Sequence, residues 1–353
     1  MLSLENRPNP SSWMAFCSPL LAVLLTMLVV GVLFALMGTS PWDGLRVFFF
    51  EPIKDQHGWA EVGLKVIPLL LISVGLAICF RANIFNIGAE GQLIVGAIFS
   101  GAFILQFDSG DNGGFWWVSG ALICGVLGGM FWAGITAFLR DYFNTNEILV
   151  SLMLVYVAQH LLSFLVHGAL MDPDGFGFPQ SSLFNDGFLL PALIDGTRLN
   201  VAIVLSGLAA IVAWVYLNRS MPGFRLRVGG MAPLAARYAG FSSRRALWIS
   251  LLASGGLAGL AGAAEVMGPI GQLTPSVSPG YGFAAIIVAF VGRLHPIGVI
   301  FSSFIMALIY IGGELAQSRL GMPNAISGIF QGILLFSLLI CDVFITKRLV
   351  WRK

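Results

Sequence analysis

Polar side chains that could do chemistry are few in this chain, and most of them border long apolar runs. In hydrocarbon such groups are costly, and they commonly mark a solute path or a proton site. The cysteines show no CxxC spacing of the kind used by metal or redox sites, so no catalytic residue, metal or cofactor is expected. The residues that stand out are Asn83, Asn86, Glu90, Gln92, Asn146, Glu147, Ser151 and Glu265.

The amide side chains of Asn83, Asn86 and Gln92 suit contact with a neutral polar solute, because an amide both donates and accepts hydrogen bonds. Glu90 has two interpretations: it lies on the solute path, or it accepts hydrogen bonds from amides of its own loop. Glu147 also has two interpretations: it lies on the solute path, or it occupies the first turn of its helix, where a negative charge is favourable without any solute.

The composition indicates that these residues lie in a membrane protein. Hydrophobic residues make up 57% of the 353 residues and charged residues only 10%, with a mean hydropathy of +0.88. A soluble domain carries about 25% charged residues. The apolar runs cover the whole chain, so we expect one all-α transmembrane domain over residues 1–353. We interpret the first apolar run as a retained span, because a secretory signal has a shorter apolar core.

A helix needs about 20 apolar residues to cross a bilayer, and ten segments are predicted to do so. The eighth is short and rich in glycine, so it is predicted to be a half-helix or to pair with its neighbour. The ten segments are residues 15–37, 61–80, 87–107, 115–139, 146–167, 199–217, 246–266, 281–293, 296–317 and 326–346.

The distribution of Lys and Arg predicts the orientation. With both termini in the cytoplasm, 14 of the 19 basic residues fall on the cytoplasmic side. Cytoplasmic loops carry such an excess, which supports both the count of ten and the orientation. The five on the opposite side are Arg46, Lys54, Lys65, Arg198 and Arg319.

Gly, Pro and polar residues interrupt the apolar pattern in two places, at residues 81–92 and 268–282. Interruptions at matching places in two halves point to a solute path, although they also permit tight packing. Spans two to five and seven to ten are therefore predicted to be inverted repeats. Tyr281 lies at the end of the second interruption and Phe283 directly after it, where they offer aromatic faces to a base or sugar or else seal the lumen.

Three GxxxG pairs predict close helix packing, because small residues let helix backbones approach. They are Gly125/Gly129, Gly255/Gly259 and Gly328/Gly332.

Two kinds of loop connect the spans. The predicted external segments 38–60 and 168–198 are rich in Gly, Pro, Asp and aromatic residues, which suits either a docking surface or a passive connector. The predicted cytoplasmic loop 218–245 is basic, and Pro at its first turn predicts a short helix from Pro233 to Tyr238. That helix is either a rigid knob for a soluble partner or part of an ordinary positive-inside loop.

The chain contains no GxxxxGK[ST] loop, and none of its four lysines follows a glycine. That loop is what cradles the phosphates of ATP in many ATPases. The chain is therefore not expected to be an enzyme, and ATP-driven work would require an ATPase on another polypeptide.

Four stretches together resemble the permeases of ABC importers for nucleosides, which are related to the ribose and simple-sugar permeases. The order and spacing of the stretches cover roughly residues 60–345. The stretches are FNIGAEGQ at 85–92, NEI at 146–148 followed by SLML at 151–154, RVG at 227–229 followed by AARYAG at 235–240, and SPGYGF at 278–283 followed by GRLHP at 292–296.

The resemblance implies a ten-helix importer with broken second and seventh helices. It implies that residues 229–240 form a coupling helix that docks in a groove of a cytoplasmic ATP-binding-cassette ATPase, although Gly230-Met231 departs from the polar pair that relatives often carry. A second homologous permease, an extracytoplasmic substrate-binding protein and the lipid bilayer are the other implied partners, without nucleic acid. The coupling residues implied are Gly229, Pro233, Ala235, Ala236, Arg237, Tyr238 and Gly240.

The expected function is passage of a nucleoside or related small polar solute across a bacterial plasma membrane by alternating access. A simple sugar is the alternative solute. The alternative mechanism is a secondary transporter driven by an ion gradient, with Glu90, Glu147 or Glu265 as proton sites. A structural or enzyme-anchoring membrane subunit is a further alternative.

Overall fold

A computed structural model describes residues 2–7, 11–108, 113–323 and 325–351. Within these ranges the regular secondary structure is helical, apart from two short strands that pair with each other. The helices are α1 (Ser12–Leu36), α2 (Pro41–Phe49), α3 (Gln56–Arg81), α4 (Ala89–Phe107), α5 (Phe115–Phe143), α6 (Glu147–Val166), α7 (Ala202–Arg219), α8 (Met221–Met231), α9 (Pro233–Tyr238), α10 (Ser243–Glu265), α11 (Tyr281–Val291), α12 (Pro296–Leu320) and α13 (Ile326–Thr346).

Nine helices of the described ranges are long and apolar enough to cross a membrane. The prediction of an all-α polytopic membrane protein is therefore confirmed. The eighth predicted span forms α11, whose 11 residues rise only about 16 Å at 1.5 Å per residue. That is about half of the hydrocarbon thickness of a bilayer, as expected for a half-helix. The nine long helices are α1, α3, α4, α5, α6, α7, α10, α12 and α13.

The predicted external segment 38–60 contains a helix that was not predicted. In α2, Pro41 occupies the first helical position, and Val47 and Phe48 are buried. Nine residues are too few to span a bilayer, so a search for long apolar runs misses this helix.

One compact unit consists of residues 1–62 and 305–353. Here α1 packs along α13, and the ring of Phe48 stacks on that of Phe330 with centroids 4.7 Å apart. The strands β1 (Leu2–Asn6) and β2 (Lys347–Trp351) pair antiparallel, so both ends of the described chain lie together.

The other unit, residues 63–304, is built around α4, α5 and α10. A Cβ added at Gly259 would lie 2.2 Å from the carbonyl oxygen of Gly125, and one at Gly96 would lie 2.3 Å from the Cα of Gly259. Only glycine permits such close approach of helix backbones. Two of the predicted GxxxG packing pairs are therefore confirmed. A Cβ added at Gly328 or Gly332, in contrast, would meet no atom within 4 Å among the described residues.

The first predicted break lies between α3 and α4. The amide of Ile84 donates to the carbonyl of Cys79 at 3.1 Å, and that of Asn83 donates to Phe80 at 3.0 Å. Asn83 itself has a φ of 58°. This is a Schellman motif, in which a residue in the left-handed region ends a helix, and asparagine tolerates that conformation better than most residues.

The second predicted break follows α10. A π-turn over Val266–Ile270 contains Pro269, and the chain then runs without helix until α11. The segment 168–198, predicted to be external, supplies backbone partners to this stretch: the amide of Ser181 donates to the carbonyl of Leu273 at 2.9 Å, and that of Leu190 to Met267 at 2.8 Å. Non-helical backbone at membrane depth requires such partners.

Candidate functional site

The first break places an amide pair in the interior of the protein. The side-chain nitrogen of Asn86 donates to Oε1 of Gln92 at 2.9 Å and to Oγ of Ser254 at 3.0 Å. Its oxygen accepts from Nε2 of Gln92 at 3.0 Å and from the amide of Gly88 at 3.1 Å. Both side chains are buried, and the hydrogen-bonding capacity of the Asn86 amide is filled by protein groups. The pair therefore ties α4 and the first break to α10.

Glu90 connects the two breaks. It is 1% exposed in the first turn of α4, and its carboxylate accepts a hydrogen bond from the amide of Gly282 at 2.5 Å. The amide of Gly280 and the side chain of Ser278 also bond to it. Glu90 thus caps the N-terminus of α11, where a negative charge is favourable. One of the two interpretations of Glu90 expects bonds to amides of its own loop. The amides that bond to its carboxylate belong instead to the second break.

The remaining predicted polar residues lie near the start of α6. Asn146 is the N-cap, and its side chain accepts from the amide of Ile148 at 2.9 Å. Glu147 forms an ion pair with Arg140 at 3.3 Å. Ser151 is buried and accepts from the amide of Ile87 at 3.2 Å. Ser151 therefore reaches the first break, whereas Asn146 and Glu147 hold the connection between α5 and α6.

Tyr281 belongs to a second, partly buried polar cluster. Its hydroxyl accepts a hydrogen bond from Nζ of Lys65 at 3.1 Å and donates to the carboxylate of Glu265. The ammonium of Lys65 also lies 5.7 Å from the centroid of the Tyr281 ring. The cluster joins α3, α10 and the start of α11. Phe283, two residues further on, is 39% exposed and is not part of it.

Sequence reasoning missed Lys65 and Asn200. Lys65 interrupts an apolar run, which is the signal that selected the carboxylates, but it was counted only as a charge of the external side. Asn200 is buried, and its side-chain nitrogen has no hydrogen-bond partner among the described residues. A Cβ added at Gly268 would lie 2.3 Å from that nitrogen, so Asn200 faces the second break.

The predicted short helix of loop 218–245 is present as α9, with the predicted bounds Pro233–Tyr238. Gly240, at a φ of 77°, ends it through a second Schellman motif, in which the amide of Phe241 donates to Ala236 at 2.9 Å. Leu234 is 76% exposed and Tyr238 94%, while Ala236 faces inward. Of the other predicted coupling residues, Ala235 and Arg237 lie in α9, whereas Gly229 lies in the last turn of α8.

The helix α8 anchors α9 to the first break. A Cβ added at Gly230 would lie 2.4 Å from the carbonyl oxygen of Arg81 and 2.8 Å from the carbonyl carbon of Ala82. The departure from a polar residue at position 230 thus has a physical reason, because a side chain there would collide with backbone.

A polytopic helical protein with two broken helices, buried polar clusters at the breaks and an exposed helix tied to one of them has the architecture of a membrane permease. A family model described as the permease component of the branched-chain amino acid transport system matches residues 60–339. The chain belongs to this permease family.

Curated relatives cover nearly the whole chain. It is 32% identical to the glucose ABC transporter permease protein TsgB13 of Haloferax volcanii, over 97% of this chain and 92% of that protein. It is 29% identical to the guanosine ABC transporter permease protein NupP of Bacillus subtilis, over 90% and 91% of the two chains. The nucleoside ABC transporter permease protein NupB of Lactococcus lactis is 26% identical, over 90% of this chain and 89% of NupB. The chain is therefore a permease of the ABC type.

Proposed function

We propose that this chain is the translocating subunit of an ATP-driven importer that works by alternating access. The exposed helix α9 carries the proposal, because it presents Leu234 and Tyr238 on a turn fixed at both ends by Pro233 and Gly240. Since Gly230 packs on the end of α3, a push on α9 is passed to the first break. ATP would be hydrolysed by a separate cytoplasmic ATPase.

A nucleoside is the solute that we propose, and the guanosine and nucleoside relatives support it. A simple sugar is the second candidate, which the 32% identical glucose relative favours. Both are neutral and polyhydroxylated, so side chains that donate and accept hydrogen bonds suit either of them.

The solute path that we propose runs past the two breaks. The partly buried cluster of Lys65, Tyr281 and Glu265 supplies donors and acceptors beside the second break, as does the side-chain nitrogen of Asn200, which has no partner in the described part of the chain. Phe283 would add an aromatic face. Four further predicted residues would support the path without contacting the solute, because protein groups already bond to them: Asn86, Glu90, Gln92 and Ser151. The residues that would border the path are Asn83, Asn146 and Glu147.

The proposed location is the plasma membrane, with both termini in the cytoplasm. The pairing of β1 with β2 supports placing both termini on one side, because two paired ends require an even number of crossings. The nine long helices give nine crossings. One further crossing, made by α11 together with the extended residues before it, would bring the number to ten. The proposed partners are the ATPase, an extracytoplasmic substrate-binding protein and a second homologous permease.

Reconstitution tests the function. The chain would be placed in liposomes with the ATPase, second permease and binding protein encoded beside it, and uptake of labelled guanosine, uridine and glucose would be followed. We expect uptake that requires ATP on the cytoplasmic side and that shows which solute is carried. Uptake by this chain alone, driven by an ion gradient, would instead establish the secondary transporter.

Replacing Tyr238 by aspartate is expected to separate the permease from the ATPase. The residue is 94% exposed at the end of α9, so the fold should not change, whereas a charge placed in a docking surface would be costly to bury. We expect co-purification of the ATPase to fall about tenfold or more, since exposed aromatic anchors dominate such interfaces. Phe178→Asp, at an exposed aromatic of the external segment, is the control and should leave co-purification unchanged.

Replacing Tyr281 by phenylalanine is expected to slow import about tenfold while the protein still folds. The change removes one hydroxyl, and with it the bonds to Lys65 and Glu265, each worth about 1.5–3 kcal/mol because one partner is charged. ATP-driven uptake is the measurement, and Tyr156→Phe on the exposed face of α6 is the control. Equal uptake rates in the two variants would exclude the Tyr281 hydroxyl from the path.

A further inference from the structure

Two arginines meet beneath α8. Gly230 packs on the backbone of Arg81 and Ala82, and Arg227 lies one turn before Gly230 on the same face of α8. The guanidinium of Arg227 therefore faces the end of α3, close enough to Arg81 for the two charges to repel each other.

Among the described residues, neither guanidinium forms an ion pair with a carboxylate. No Asp or Glu occurs in residues 62–89, 196–264 or 266–313, the segments that contain these arginines and the α11–α12 turn beside them. Arg81 donates from Nε to a carbonyl, that of Leu294, at 2.7 Å. The buried Nε of Arg227 has no hydrogen-bond partner among the described residues.

The acids of the neighbouring helices are already engaged. Asp141 binds Arg244 and Trp248, and Glu147 binds Arg140. His295 follows Leu294 directly, and burial first, then the charge of Arg81, lower its pKa below the ordinary value. His295 is thus largely neutral at pH 7, so the positive charge here belongs to guanidinium groups.

Two adjacent guanidinium groups fit one particular kind of ligand. Each offers a planar fork of N–H donors that matches phosphate oxygens in a bidentate way. A phosphate monoester carries a charge of about −1.5 to −2 at pH 7, which balances two arginines. A single carboxylate carries one negative charge and would balance only one of the two guanidinium groups.

We propose that Arg81 and Arg227 form a binding site for a phosphate group, carried either by a free solute or by the headgroup of a phospholipid. The site lies at the end of α3, away from the cluster of Lys65, Tyr281 and Glu265, and it does not depend on which solute is imported. Because it lies between α8 and the first break, its ligand would fasten the base of α9 to α3.

The first experiment uses the purified full-length protein in detergent. Its unfolding midpoint would be measured in sodium phosphate and in sodium chloride of equal ionic strength, and again in nanodiscs of phosphatidylcholine with and without phosphatidic acid. A shift with inorganic phosphate identifies a free ligand, and a shift only with phosphatidic acid identifies a lipid. Either shift should require about tenfold or more ligand in Arg227→Gln, because a charge-assisted pair is lost.

Arg245→Gln is the matched control, since Arg245 is exposed in the same predicted loop and should leave the shift unchanged. If Arg227→Gln does not fold, the site is tested in the unaltered protein by measuring how far a ligand protects Arg227 from chemical modification. Phenylglyoxal modification of Arg227, followed by mass spectrometry, should slow with phosphate or phosphatidic acid while that of Arg245 does not. The proposal is overturned if neither compound shifts the midpoint, or if neither distinguishes Arg227 from Arg245.

Discussion

Replacing Gly259 by alanine is expected to destabilise the protein by about 3 kcal/mol or more, at the upper end of what overpacking costs. The added methyl would lie 2.2 Å from the carbonyl oxygen of Gly125 and 2.9 Å from the Cα of Gly129. Both are backbone atoms, so α5 and α10 would have to separate to admit it. The measurement is the unfolding midpoint of the purified protein.

Gly207→Ala in α7 is the control for this substitution. Nothing lies within 4 Å of the position that its methyl would occupy, among the described residues. Alanine favours a helix over glycine by up to about 1 kcal/mol, so this variant should be neutral or slightly more stable. Equal midpoints for the two variants would show that α5 and α10 do not meet at Gly259.

Replacing Glu90 by alanine is expected to cost about 2–4 kcal/mol, because a buried donor left without an acceptor costs about 1–3 kcal/mol and more than one is exposed here. The change leaves the amides of Gly280 and Gly282 without their acceptor in the protein interior. The start of α11 would lose its cap, so both the midpoint and any ATP-driven uptake should fall. Glu90→Gln keeps one acceptor oxygen and should lose less.

The matched control is Glu147→Gln. Its carboxylate pairs with the partly exposed Arg140, and such pairs contribute about 1 kcal/mol or less. If Glu90→Ala and Glu147→Gln had the same midpoint, the cap on α11 would not be a stabilising contact. A normal midpoint together with lost uptake would instead place Glu90 in contact with the solute.

The local features of this fold are predictable from the sequence. Pro233 and Gly240 bracket α9, and the cluster of Asn and Gly residues after Arg81 marks the first break. Each signal acts within a few residues, through fixed φ, a left-handed conformation or a missing amide. For that reason the bounds of α9 agree with the prediction.

The contacts that build the candidate site are not predictable in the same way. Lys65 and Tyr281 are 216 residues apart, and Glu90 and Gly282 are 192 apart. A single sequence reveals that these side chains are unusual in apolar surroundings, but not which of them meet. The sequence therefore indicates a capping role as one of two interpretations of Glu90, but not that the amides come from the second break, and it does not single out Lys65.

The hydrogen bonds between the external segment and the second break form a mechanical tether. Traction on Ser181 or Leu190 from outside would reach Leu273 and Met267 directly, and Glu90 would carry it on to α4. Such linkage is reciprocal, so if a binding protein docks on segment 168–198, whatever moves α4 also alters the affinity of that docking. Docking at this segment and movement of α4 would then belong to one coupled equilibrium.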